Sequence, residues 1–115
     1  MFMDIRPPNL NFQGAGPAHL GPTQAQKDGD QSLFIRLVQE EQCYRTNIQG
    51  GMPPNSPEAL NEAQQIRGDA SQLQSNLKAH GYSVQAKTAV DDFMLNGDIS
   101  NEAEVQKVCD AIQKG

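Results

Sequence analysis

The chain has 115 residues, 37% of them hydrophobic and 5% aromatic, with no Trp, and a formal net charge of −5 from nine basic and fourteen acidic side chains. That length holds one domain but not two comfortable ones, and without a basic run it lacks the counterion-displacing stripe of a nucleic-acid binder. No apolar stretch approaches the roughly 20 residues of a membrane-spanning helix, so neither nucleic acid nor membrane is an expected partner.

Residues 1–29 carry Pro7, Pro8, Pro17 and Pro22 together with Gly14, Gly16, Gly21 and Gly29, and no hydrophobic period persists. Such a segment does not offset the entropy of ordering itself and reads as a disordered N-terminal arm. It is not featureless. Phe2, Met3, Ile5, Leu10 and Phe12 lie among prolines that favour an extended chain, and they are the candidate partner-binding residues. The first eight residues have neither a basic n-region nor a continuous apolar h-region. Unless a leader was removed upstream, the expected location is cytoplasmic, or outside the cell by a route without a cleaved signal peptide.

A helical domain is expected over 30–115. The first helix is placed at 31–48, with Asp30 as N-cap. Its apolar face is Phe34, Leu37, Val38, Tyr44 and Ile48, with Glu41 and Arg45 paired at the edge. Gly50-Gly51 and Pro53-Pro54 stop it. The second helix has two overlapping start signals, Asn55 with Glu58 as a capping box or Ser56 as cap with Pro57 first in the helix. Ala59, Leu60, Ala63, Ile66, Ala70, Leu73 and Leu77 then recur at three- and four-residue steps as a narrow packing seam, ended by Gly81. A third helix starts after Ser83 or after Thr88, with Val90, Phe93 and Met94 inward. A fourth is capped by Ser100, with Ile99 as a staple and Val105, Val108, Cys109 and Ile112 as its seam. The fold class is therefore all-α, a small bundle of three to four helices with a disordered N-terminal arm.

Candidate chemistry is thin. Cys43 and Cys109 read as two free thiols, with one disulfide tying the first helix to the last as the alternative, and two sulfurs with His19 and His80 scattered give no zinc pattern. The segment 92–103 resembles a worn calcium loop. Asp92, Asn96, Gly97, Ile99 and Ser100 fit, but Met94 and Ala103 occupy ligand positions and offer no side-chain oxygen. The simpler reading is a helix–turn–helix corner. Arg67-Gly68-Asp69 falls inside a helix, not on the loop an adhesion motif needs. Adjacent pairs such as Asp91-Asp92 point apart on a helix and make poor acid–base partners. No catalytic, cofactor-binding or metal-binding residue is assigned, and no cofactor is expected. The expected function is a non-enzymatic protein-interaction module that engages a protein partner or a second copy. The alternatives are a self-assembling structural subunit and a small metal-dependent regulator using 92–103.

Overall fold

A computed structural model describes residues 21–115. The five apolar positions of the arm, Phe2, Met3, Ile5, Leu10 and Phe12, lie outside the described residues. The described chain is an all-helical four-helix bundle, with α1 at Gln24–Gln49, α2 at Pro57–Ala79, α3 at Val84–Asn96 and α4 at Glu102–Lys114.

Helix α1 begins seven residues earlier than the sequence predicts, which corrects the role of Asp30. Thr23 is the cap. Its hydroxyl oxygen accepts from the Gln26 amide at 3.1 Å, while the Gln26 side chain accepts from the Thr23 amide at 2.9 Å. This reciprocal box satisfies two N–H groups that a helix start otherwise leaves open. Gly29 costs about 1 kcal/mol in a helix interior relative to Ala. The first turns are offset by contacts with α4, where the Gln113 side chain meets those of Gln24, Asp28 and Gln31 at 2.8, 3.1 and 2.6 Å.

Both helices of the α1–α2 hairpin end in the same way. At the end of α1, Gly51 has φ 111°, and Met52 N–H donates to the Asn47 carbonyl at 2.9 Å. At the end of α2, Gly81 has φ 76°, and Tyr82 N–H donates to the Leu77 carbonyl at 3.2 Å. These left-handed glycines close Schellman motifs, a conformation that a Cβ would strain. Of the two start signals for α2, the Ser56 cap with Pro57 first in the helix is the one adopted. Ser83 caps α3. Helix α4 is capped by Asn101, not by Ser100. The Ser100 hydroxyl instead donates to Asp98 at 2.6 Å, leaving the Asn101 side chain to accept from Ala103 and Glu104.

The core joins Phe34, Leu37 and Val38 of α1 with Leu73 and Leu77 of α2, Val90 and Phe93 of α3, and Val108, Cys109 and Ile112 of α4. The Phe34 and Phe93 rings meet edge to face with centroids 5.3 Å apart. Ile99, expected as a staple, is buried in this core. The Leu60 position departs from the predicted seam, since it is 53% exposed, and Ile66 is only half-buried. Core residues thus come from the middle of α1 and the C-terminal half of α2. The α3–α4 turn reaches α1 at Gln42, whose side chain donates to the Ile99 carbonyl at 2.8 Å. Beyond it, residues 46–65 form a two-helix projection in which Ala59 alone is fully buried.

Candidate functional site

The most buried polar group among the described residues is Asp30, 2% exposed. It sits inside α1 facing the end of α2, and the Schellman turn at Gly81 delivers its partners. Asn76 Nδ2 donates to Oδ1 at 3.0 Å, Tyr82 Oη donates to Oδ2 at 2.9 Å, and His80 Nδ1 lies 2.7 Å from Oδ2. A buried carboxylate needs such donors, because without them its desolvation is severe. Burial, then the bond to Asp30 and the charge of Asp30, push the Tyr82 phenol above its ordinary range. Chemically, a carboxylate holding imidazole Nδ1 is the orienting half of an acid–base relay. Among the described residues, though, the His80 ring shares a hydrogen bond with Asp30 alone, and no nucleophile joins it. The arrangement pins α1, α2 and the start of α3 together. Sequence reasoning missed it by reading Asp30 as a cap. The available signal was Tyr82 immediately after the helix-ending Gly81, an aromatic polar group carried straight back onto the core.

Further along the hairpin, a second polar clasp joins α1 to α2. Arg36 pairs with Asp69 at 3.1 Å, and Asn47 Nδ2 donates to the Glu62 carboxylate at 3.1 Å. Between them, Glu40 Oε1 and Asp69 Oδ2 are both buried without a hydrogen-bond partner. Burial, then the contact with Asp69, raises the Glu40 carboxyl above its ordinary range. The hydrogen bond from Glu40, with Arg36 adding to it, lowers that of Asp69. The tripeptide Arg67-Gly68-Asp69 is therefore helical, and its aspartate is engaged by α1.

Two depressions open on the bundle. A groove of about 800 Å³ runs between α3 and α4. Ala86, Ala89, Phe93, Val108 and Ala111 form its apolar lining, with Asp92, Glu104, Lys107, Asp110 and Lys114 as charged members. Gly97 lines its far end, where the chain passes so close to the Phe93 ring that a Cβ would collide with it. A smaller cleft of about 230 Å³ lies at the base of the projecting hairpin, among Phe34, Leu37, Ile66, Met94 and Leu95. Glu41 and Arg45 border it and face each other at 3.8 Å, the pairing expected from their spacing.

Of the calcium-loop positions, Asp92, Asn96 and Gly97 line the α3–α4 groove, and Ile99 is buried in the core. Asp98 accepts from the Ser100 hydroxyl and amide, which hold its carboxyl below the usual range. Among the described residues no group of three or more His, Cys, Asp or Glu is placed to hold a metal ion, and no helix is long and apolar enough to cross a membrane. Cys43 is exposed, Cys109 is buried, and both are free thiols. Burial, with Asp110 beside it, raises the Cys109 thiol above its ordinary range. Comparison with protein-family models, characterised proteins and solved structures gave no match for this chain.

Proposed function

We propose that the chain is a non-enzymatic protein-interaction module that takes a short apolar segment of a protein into the groove between α3 and α4. The observation that carries this reading is the groove itself, where half-buried Ala89 and Ala111 lie over the buried Ala86, Phe93 and Val108 with charged side chains around them. Such a surface suits an extended or helical segment with apolar anchors and polar flanks. The polar clusters elsewhere support the same reading, because the carboxylates of Asp30, Asp69 and Glu62 are engaged in joining α1 to α2 and its following turn.

The test is an Ala89→Arg chain, which places a long cation on the half-buried lining of the groove without touching the buried core. Wild-type and variant chains are crosslinked through Lys107 and Lys114 in lysate of the source cell, and the attached peptides are identified. One apolar segment captured by the wild type and lost from a variant of unchanged Tm is the expected result. Identical capture by both chains would refute the groove as the binding surface. A wild-type mass in solution that is a multiple of the chain mass, lowered by Ala89→Arg, would point instead to the self-assembling subunit. The exposed Leu60, Val84 and Leu95 favour that second reading.

A further inference from the structure

The described chain starts beside one end of the α3–α4 groove. A Cβ placed on Gly21 would lie 3.9 Å from the Gly81 carbonyl oxygen, and one on Gly115 would lie 3.4 Å from Pro22 Cγ. Ser83 N–H donates to the Gly115 carbonyl at 3.3 Å, and Ser83 and Lys114 line the groove. The described chain therefore begins where α3 begins and α4 ends. From there the segment ahead of Gly21 has the length to reach everything in the groove. Nine peptide links separate Phe12 from Gly21, and at about 3.3 Å per residue they span at most about 30 Å when extended. Helix α3 has 13 residues, a length of about 20 Å at about 1.5 Å each. Leu10 and Phe12 can thus stand over Phe93 and Val108 with a few residues of slack.

We propose that this groove is occupied by the chain's own N-terminal segment, anchored by Leu10 and Phe12, and that a partner segment must displace it. The inference rests on the groove reading above and names its resident occupant. Attachment favours the tethered segment, because a linker of this length holds it at an effective concentration that a free segment rarely matches. The two anchors also account for large apolar side chains in a stretch otherwise rich in Pro, Gly, Asn and Gln. A resident occupant tunes affinity for outsiders. If it fills the groove nine-tenths of the time, its removal tightens binding of any competitor about tenfold.

The test uses full-length chains and a fluorescent peptide of residues 1–20 as probe. Its binding is measured to the wild type, to the double variant Leu10→Ser with Phe12→Ser, and to that double variant carrying Ala89→Arg. The expected order is weak binding to the wild type, binding about tenfold tighter to the double variant, and none once Ala89→Arg is added. Equal affinity for the wild type and the double variant, or no binding to either, overturns the proposal. Samples mixing isotope-labelled and unlabelled wild-type chains separate the remaining case. Nuclear Overhauser contacts from Phe12 to the methyls of Ala89 and Val108 are expected within one chain. If they appear only between chains, the occupant is a second copy's arm and the proposal fails. Failure here leaves the module reading standing as long as Ala89→Arg still abolishes capture of a partner.

Discussion

Asp30 shows how much one side chain changes meaning with its surroundings. At a helix start it would cap an open turn, an exchange worth about 0.5–2 kcal/mol. In its observed place it is a buried acceptor for Asn76, His80 and Tyr82. Asp30→Ala leaves Asn76, His80 and Tyr82 without their acceptor, and we expect a loss of about 2–4 kcal/mol in urea unfolding, from buried donors left unsatisfied at about 1–3 kcal/mol each and partly relieved where His80 meets solvent. A loss under about 1 kcal/mol would mean that solvent reaches the cluster. The Glu40–Asp69 pair gives a pH-dependent prediction. The lowered Asp69 contributes stability above its unfolded pKa, near 3.8, which is lost as pH falls through the folded value. The raised Glu40 contributes stability below its unfolded pKa, near 4.5, which is lost as pH rises through the folded value. The two contributions are therefore present together only in mildly acidic solution. Glu40→Gln supplies a permanent donor to Asp69. It should stabilise the protein at pH 7 by a few tenths to about 1 kcal/mol, discounted for partial exposure. The gain should shrink near pH 4.5, and equal gains at both pH values would show that ionisation of Glu40 does not affect stability.

At the scale of the element, the seam of α2 divides into two halves with different roles. Leu73 is fully buried in the four-helix core, whereas Leu60 is 53% exposed on the projection. Leu73→Ala should cost about 2–5 kcal/mol through lost transfer energy and a cavity. Leu60→Ala should stay within about 0.5 kcal/mol, as at other surface sites. Chemical denaturation of the two variants checks this, and comparable losses would mean that Leu60 is covered in solution, as in a self-assembled form. The periodicity of α2 does not distinguish the halves, because the spacing of Ala59, Ile66 and Leu73 records which face is apolar and not what packs on it.

For the whole molecule, stability is concentrated at one end. The α1 and α2 halves beside α3 and α4 contribute nearly all the buried side chains, while 46–65 rest on a two-helix contact. Regions with few buried contacts open at lower free energy than the core. Amides at 57–65 should therefore exchange with solvent well before those around Leu73, Leu77 and Val90. Uniform protection along α2 would show that the hairpin opens only with the rest of the bundle. Thiol modification reads the same polarity, with exposed Cys43 reacting in the native state and buried Cys109 only on unfolding.

The helices of this protein were largely legible in its sequence because their signals are local. Ser56-Pro57, Ser83, the glycines at 51 and 81, and the apolar spacing of α2, α3 and α4 act within a turn or two of where they stand. Even the start of α1 was written locally, in the Thr23–Gln26 box, but Pro22 and Gly29 on either side gave it the composition of a linker. The site was a different matter. Asp30 meets His80 and Tyr82 across some fifty residues, Glu40 meets Asp69, and the groove exists only where α3 and α4 lie side by side. None of these pairings has a spacing that chain order imposes. Burial decided them, since a carboxylate removed from water must find its donors wherever the packed helices bring them.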